Sequence, residues 1–285
     1  MADQHANPEL ETGRYYTAET YLLPSDEKER IRLNRQHEAL QPYSGGLVPP
    51  GLELKDGDTV LDAGTGSGIW LLELAKNVPN GVNLIGVDIE GRLFPPAKPN
   101  MKFIVGSTFD LPSELNSTFT LVHQRLMISA LSHEGWKKAF AALFRVLKPG
   151  GYFKLEELDS IDILSTASDV PPATSQFTQA LRILCEKRGV GGDVIPNISS
   201  MLQDAGFEIE DETYRSIILG GPDNAACDTL VDAYRGMKTP FLASKVAENA
   251  STSQEFDSLM DQMEQEWQTG VYTKTWCNWI ARKPM

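Results

Sequence analysis

A glycine-rich turn after the first short apolar run constrains the fold of this chain more than any other feature. Thr59–Asp62 is β-prone, and the residues that follow read Ala-Gly-Thr-Gly-Ser-Gly up to Gly68. Good helix formers over Ile69–Ala75 come next. A strand, a turn without bulky side chains and a helix in this order let the backbone approach a ligand closely. Taken alone, such a turn is as often structural as functional.

Strand and helix signals alternate along most of the remaining chain. Apolar residues recur at helical spacing over Glu134–Leu147, which ends at a Lys-Pro-Gly-Gly stop, and again over Ile198–Ala205. Six further β-prone runs follow the first one: Leu84–Asp88, Phe103–Val105, Phe119–Val122, Tyr152–Leu155, Thr213–Leu219 and Thr275–Ala281. Seven strands separated by helices predict an α/β fold with a doubly wound, mostly parallel sheet.

Three segments fall outside this alternation and define the predicted domain organisation. Residues 1–44 form an N-terminal helical cap with a charged helical stretch over Asp26–Leu40, and residues 45–285 form the main domain. Helical insertions interrupt that domain at about 159–195 and 221–270. The first insertion carries Pro171-Pro172 and ends in a glycine cluster, which favours a mobile lid. We expect these segments to build the substrate side of a pocket.

Composition and charge restrict the partners and the compartment. The formal net charge is −13 at pH 7, which disfavours a nucleic acid partner. The three cysteines lie far apart, so neither a disulfide framework nor a thiolate zinc site is indicated. No stretch has the length or apolarity of a signal peptide or a membrane helix. These features predict a soluble cytoplasmic protein, monomeric or homodimeric, that acts on a small molecule away from membranes.

The spacing of the glycines restricts the ligand of the turn. A dinucleotide-binding fingerprint that begins at Gly64 needs glycine at position 69, where this chain has Ile69. No Gly-Lys-Ser/Thr follows, so a nucleoside triphosphate lacks its lysine. An adenosine ligand without phosphates remains. Asp88 closes the second strand, where a carboxylate can accept both ribose hydroxyls, although a solvated turn aspartate is the alternative. Asp62 offers a second carboxylate for a positively charged amino group, or enters the helix as a capping residue.

Four successive motifs resemble those of class I S-adenosylmethionine (SAM)-dependent methyltransferases. They are Val60–Gly68, Gly86–Asp88, Val105–Asp110 and Leu147–Tyr152. The resemblance implies a Rossmann-like domain with SAM as the cofactor. Further segments resemble fungal small-molecule methyltransferases of secondary metabolism and their regulatory relatives: Tyr21–Asp26, Arg32–His37, Gly68–Trp70 and Val122–Leu126.

The same resemblance implies which residues contact the cofactor. It places Asp88 on the ribose and Ile89 on the adenine face. After the third strand the family often has an acidic residue for the adenine amino group, but here Ser107 and Thr108 follow Gly106, so that contact weakens or moves to a hydroxyl. The complete predicted set is Tyr21, Asp62, Gly64, Thr65, Gly66, Asp88, Ile89, Ser107, Thr108, Phe109 and Gln124.

Two histidines are the candidates for a general base. Methyl transfer from a sulfonium is an in-line displacement, so a base is needed only if the acceptor must lose a proton. His123, at the C-terminal edge of the fourth strand, is the first candidate, and His37, in the N-terminal cap, is the second. For each of them a packing or hydrogen-bonding role is the alternative.

An acidic cluster at the end of the fifth strand invites a metal interpretation that we reject. Glu156, Glu157 and Asp159 lie within four residues of one another. Arg125, at the end of the fourth strand, would repel a divalent ion. We therefore predict no metal and assign the three carboxylates a solvated or capping role.

Three functions are compatible with these features. The first is a SAM-dependent methyltransferase that acts on an O or N atom of a small, largely apolar natural product. The second is a regulatory protein of secondary metabolism that binds SAM without turnover. The third is a cyclase or pericyclase that retains SAM as an electrostatic catalyst. The sequence specifies neither the acceptor nor the methylated atom.

Overall fold

A mixed β-sheet forms the centre of the molecule. The computed structural model describes residue 16 and residues 22–159, 164–165, 170–191, 194–221, 224–247 and 250–285. The strands in chain order are β1 (Thr59–Ala63), β2 (Asn83–Asp88), β3 (Met101–Val105), β4 (Phe119–Arg125), β5 (Leu147–Leu158), β6 (Leu164–Ser165), β7 (Glu208–Leu219) and β8 (Tyr272–Arg282). They are ordered β3-β2-β1-β4-β5-β8-β6, and β7 also pairs with β8. β1 to β5 are parallel to their neighbours in this group, whereas β8 runs antiparallel to β5, β6 and β7.

Helices cover both faces of the sheet. They are α1 (Glu27–Ser44), α2 (Ile69–Leu74), α3 (His133–Val146), α4 (Pro172–Arg188), α5 (Ile198–Asp204), α6 (Ala225–Gly236), α7 (Lys238–Ser244) and α8 (Ser253–Thr269). The buried side chains of α2 join one apolar cluster with β1 and β2. Those of α3 and α5 join a second cluster with β4, β5 and β8. Burial of both faces explains why the parallel strands read as continuous apolar runs.

The predicted α/β Rossmann-like architecture is confirmed. All seven predicted strands are present, with 5 to 12 residues each. The two-residue strand β6 was not expected. β4 extends to Arg125, so His123 and Gln124 lie within the strand and not after it, because pairing with both β1 and β5 continues through these residues.

The helices outside the central pattern pack against one another. A third apolar cluster joins α1 with α4, α6, α7 and α8 through residues such as Leu40, Phe177, Tyr234 and Trp267. The cap helix and both insertions therefore share one core. The predicted domain boundaries themselves stay a prediction.

Helix α4 lies in the first predicted helical insertion, although its start resembles a loop. Pro171-Pro172 reads as a breaker, yet a proline at the first helical position lacks only an N–H that has no helical partner there. Phe177, Leu181 and Leu184 bury one face of this helix.

The sheet order creates a crevice beside the first strand. From β1 the chain proceeds to β2 and β3 on one side, and β4 and β5 lie on the other side. Such a switch point leaves a cleft at the carboxyl ends of the strands, where ligands bind. Ala63, Asp88 and Arg125 end β1, β2 and β4 at this edge. Within the described part of the chain, no helix has the length and apolarity to cross a bilayer.

Candidate functional site

A cavity lies at the switch point between β1, β2 and β4. The space between its walls amounts to about 1190 Å³, which includes open solvent at its mouth. Its wall is formed by α1, the glycine turn and the segments that follow β2, β3 and β4. Of the predicted site residues, the following line it: Gly64, Thr65, Gly66, Asp88, Ile89, Ser107, Thr108 and Phe109.

The glycine turn folds in a way that needs glycine. Gly64, Gly66 and Gly68 have φ values of +75°, +53° and +71°, which side chains rarely adopt. The N–H groups of Gly64 and Thr65 both donate to the carbonyl of Val87, at 2.8 and 3.0 Å, so β2 holds the turn from below. A Cβ atom at Gly64 would lie 2.6 Å from Met127 Sδ. The turn thus presents bare backbone to the cavity.

Asp88 connects the turn to the second strand. Its Oδ2 accepts a hydrogen bond from the Gly66 N–H at 2.8 Å, and its Oδ1 accepts one from the Glu90 N–H at 3.1 Å. Burial raises the pKa of this carboxyl group, although both backbone hydrogen bonds oppose that shift. Because a carboxylate oxygen has two lone pairs, each oxygen can still accept from a ligand hydroxyl. This arrangement suits the ribose role that we predicted.

Two exposed apolar side chains line the cavity on the side of β2 and β3. The exposed fraction is 49% for Ile89 and 40% for Phe109, although both line the wall. Thr108 is buried beside them, and the Ser107 hydroxyl accepts a hydrogen bond from the Phe109 N–H at 3.2 Å. Exposed apolar surface around a concave site indicates a ligand with a flat or apolar part. The adenine ring of SAM fits this description.

His123 lies beneath the cavity and does not line it. The side chain is fully buried, and its ring stacks on Trp70 with centroids 3.9 Å apart and 4° between the planes. Nδ1 lies 2.8 Å from Asp62 Oδ1, and Nε2 lies 3.1 Å from Glu156 Oε2. The ring can donate to both carboxylates only when it is protonated. With both nitrogens engaged, His123 has no free lone pair for an acceptor, so the geometry favours the packing alternative over the base.

Asp62 and Glu156 continue this buried network on both sides of His123. Asp62 is 3% exposed and accepts from the Thr65 hydroxyl at 2.6 Å, so it supports the glycine turn from inside instead of facing the cavity. Glu156 Oε1 lies 2.9 Å from Lys154 Nζ. Burial acts to raise the pKa of Glu156, but Lys154 and His123 outweigh it and lower the pKa to about 2. The network therefore holds the buried Glu156 carboxylate in its charged form.

Lys154 and Glu157 tie this network to the surrounding loops. Lys154 Nζ donates to the carbonyls of Ser44 and Gly46 at 3.2 and 2.7 Å, which fixes the end of α1. Glu157 accepts from the N–H groups of Met127 and Ile128 at 2.8 and 3.2 Å, which fixes the segment after β4. Burial raises the pKa of Glu157 to about 8 against these hydrogen bonds.

The predicted solvated role of the acidic cluster is wrong for two of its members. Glu156 and Glu157 are fully buried because β5 is covered on both faces, and only Glu157 has the capping role. Their oxygens face lysine, histidine and backbone N–H groups. Among the residues that the structure describes, no group of three or more His, Cys, Asp or Glu side chains is placed to hold a metal ion.

Arg125 lines the cavity, while its partner His37 lies behind it. Arg125 Nη2 donates to His37 Nδ1 at 2.9 Å. Burial, and next the charge of Arg125, lower the pKa of His37 to about 4. His37 is therefore neutral near pH 7 and serves as a hydrogen-bond acceptor for the guanidinium. Like His123, it is absent from the cavity wall.

One further predicted residue of the described structure, Gln124, does not reach the cavity. Gln124 is fully buried, and neither of its amide atoms has a hydrogen-bond partner. Since alternate residues of a strand point to opposite faces, Gln124 points away from the side shared by His123 and Arg125. Tyr21 lies outside the described residues. The roles of all the predicted site residues stay predictions.

Sequence reasoning expected the N-terminal cap to build the substrate side of the pocket, but it did not name the side chains of the wall across β1 from Asp88. Leu33 and Gln36 of α1 line it together with Leu126, Met127 and Leu131, which follow β4. Leu33, Gln36 and Leu126 lie in segments that resemble the fungal enzymes, but that resemblance assigned them no place in a pocket. Met127 and Leu131 lie in none of the motifs. These residues form a pocket wall only because the fold packs them beside the glycine turn.

Comparisons with known proteins agree with this geometry. The model of the methyltransferase-domain family matches residues 32–212, which is more than half of the chain. At the level of structure, a methyltransferase candidate from Bacillus halodurans C-125 aligns with a TM-score of 0.50 and 17% identity over 88% of this chain and 99% of that chain. This likeness shows the fold.

Three fungal relatives are similar in sequence. The N-methyltransferase tcpN of Claviceps purpurea is 31% identical over 85% of this chain and 89% of its own length. The N-methyltransferase sirN of Leptosphaeria maculans is 39% identical over 48% of this chain, and gliN of Aspergillus fumigatus is 35% identical over 46%. The last two matches span 49% and 47% of those relatives, about half of each. With its fold, its glycine turn and the acid at the end of β2, the chain belongs to the class I SAM-dependent methyltransferases and resembles the fungal enzymes of secondary metabolism.

Proposed function

We propose that this protein transfers the methyl group of SAM to a nitrogen atom of a small, largely apolar natural product. Two features support the proposal. The relative tcpN, which aligns with 85% of the chain, is named as an N-methyltransferase. The cavity wall opposite Asp88 is also predominantly apolar, with Leu33, Leu126 and Leu131 among its residues.

The observation that carries the choice of nitrogen is the lack of a base at this apolar end. The carboxyl groups of Asp88 and Glu90 line the cavity on the β2 side. On the wall built by α1, Arg125 and the segment after β4, the polar side chains among the described lining residues are Gln36 and Arg125, and neither takes a proton at neutral pH. A neutral amine already has a lone pair for the displacement and loses its proton afterwards. A hydroxyl group must lose its proton in or before the transition state, which calls for a base. The wall therefore suits nitrogen better than oxygen.

The residues present fit SAM and divide its binding among three groups. The positive-φ turn would give close backbone contact, Asp88 would bind the ribose, and Ile89 with Phe109 would flank the adenine. When bound, SAM supplies an electrophilic methyl group on a sulfonium. The protein orients the acceptor against the cavity wall and excludes water from it. Alignment of this kind provides most of the rate in a reaction without acid–base steps.

A matched pair of acceptors tests the proposal. We would incubate the protein with SAM and either an apolar secondary amine or the alcohol with the same carbon skeleton, and measure S-adenosylhomocysteine (SAH) and the methylated product by mass spectrometry. We expect product from the amine, with one SAH formed for each methyl group, and none from Asp88→Ala. Methylation of the alcohol alone would refute the nitrogen assignment.

The same assay separates the rival functions. A regulatory SAM-binding protein would give no methylated product with any acceptor from an extract of the host's metabolites. A cyclase that retains SAM would change its substrate without accumulating SAH. One SAH for each product molecule contradicts both.

We also propose the setting in which the enzyme works. The net charge of −13 opposes binding to nucleic acid, so the partner is a small molecule. We place the protein in the cytoplasm as a monomer or homodimer. Fractionation of cells and light scattering of the purified protein test these two points.

A further inference from the structure

Arg125 is the only basic side chain that lines the cavity among the described residues. Its guanidinium donates one hydrogen bond, to His37 Nδ1. No Asp or Glu oxygen of the described chain lies within ion-pair distance of it, although the charges of Glu156 and Asp62 act on it from further away. A guanidinium in a partly enclosed site normally pairs with a carboxylate or phosphate, because desolvation is costly without such a partner. The missing partner points to an anionic group on a ligand.

The position of Arg125 says which part of the cofactor it faces. In the sheet register, Ala63 pairs with Gln124, so Gly64 and Arg125 are next to each other where the two strands end. Neighbouring strands are about 4.8 Å apart. Asp88, on β2, lies on the opposite side of β1 from Arg125. A ligand whose ribose lies at Asp88 and which extends across the glycine turn therefore has its other end at Arg125.

We propose that Arg125 binds the α-carboxylate in the methionine part of SAM, and that His37 positions the guanidinium. This carboxylate is the only negatively charged group of the cofactor. His37 accepts a hydrogen bond from Nη2 of the guanidinium, which leaves Nε and Nη1 free to donate to a ligand. The neutral imidazole accepts this hydrogen bond and adds no repulsion, in keeping with its low pKa. The proposal depends on SAM as the cofactor but not on the nature of the acceptor.

A pair of ligands that differ only in the carboxylate tests the proposal. We would measure by calorimetry the dissociation constants of SAH and of S-adenosyl-3-thiopropylamine, which is SAH without its carboxylate. Arg125→Met should weaken SAH binding about 10- to 100-fold, the worth of a charge-assisted hydrogen bond, and leave binding of the second ligand unchanged. Arg125→Lys, which keeps the charge but not the fork, should fall in between. Arg35→Met is the matched control, since Arg35 is exposed on the same helix as His37.

The variants of His37 test the positioning role. His37→Leu removes the acceptor and should weaken SAH several-fold without affecting the ligand that lacks the carboxylate. His37→Gln offers an amide oxygen to the guanidinium and should restore most of the affinity. Thermal unfolding without ligand shows that each variant is folded.

Two results would overturn the proposal. Equal weakening of both ligands by Arg125→Met would mean that the substitution damages the site as a whole. Unchanged binding of SAH would mean that the guanidinium faces the acceptor or no ligand. Neither result would affect the nitrogen assignment, which rests on the acceptor assay.

Discussion

Replacing His123 with leucine tests whether this residue is a base or part of the scaffold. The substitution removes the imidazole that lies between two buried carboxyl groups. Asp62 Oδ1 and Glu156 Oε2 therefore lose the ring nitrogens that lie 2.8 and 3.1 Å away. Leaving a buried polar group without its hydrogen-bond partner costs about 1–3 kcal/mol, so two such groups cost about 2–6 kcal/mol, and the stacked contact with Trp70 is lost as well. At the entropy of unfolding typical for a chain of this size, that cost lowers Tm by about 3–10 °C.

The assay combines thermal unfolding with kinetics at a temperature where the variant is folded. His133→Leu is the matched control, because His133 is exposed at the start of α3, and we expect its Tm to stay within about 1 °C of the unaltered protein. Adding Asp62→Asn to His123→Leu replaces one of the two carboxyl groups that have lost their partner, so the double variant should be less destabilised than the sum of the two single ones. If His123→Leu kept its Tm but lost activity along with one limb of the pH–rate profile, the scaffold role would be wrong.

Three further outcomes are expected. Asp88→Asn keeps an oxygen for the Gly66 N–H but loses the charge, so the SAH affinity measured by calorimetry should fall about tenfold; an unchanged affinity would contradict the ribose role. Gly64→Ala should lower the free energy of unfolding by about 1–2 kcal/mol, because the φ of +75° at this position strains a residue with a side chain. Adding Met127→Ala should not restore the stability in a urea titration, because the backbone strain remains. Full recovery would show that the contact with Met127 dominates. The pKa of His37 is lowered by burial and Arg125 from 6.5 to about 4, so the unfolded chain takes up a proton first; the stability should be fully present above pH 6.5 and decline as the pH falls towards 4, and His37→Gln should remove that part of the decline in unfolding curves recorded across this range.

Local sequence signals determined the part of the site that lies on one strand–turn–helix unit and its neighbour. The glycines at 64, 66 and 68 and the acid at 88 were predictable because a turn with positive φ and a strand-end carboxylate leave traces within 30 residues. The succession of strands along the chain was predictable for the same reason, since apolar runs and stop signals are local. The structure adds that Asp88 also holds the turn, through the N–H of Gly66.

What only the tertiary structure decided is which polar side chains face the cavity. His123 and Asp62 are 61 positions apart, and Arg125 and His37 are 88 apart, so no local pattern relates them. Sheet register places His123 against two carboxylates beneath the cavity, while the packing of α1 brings His37 to the back of a guanidinium that lines it. A histidine at a strand end therefore looks the same in the sequence whether it is a general base or a buried structural residue. The difference arises from the side chains that the fold brings to its two ring nitrogens.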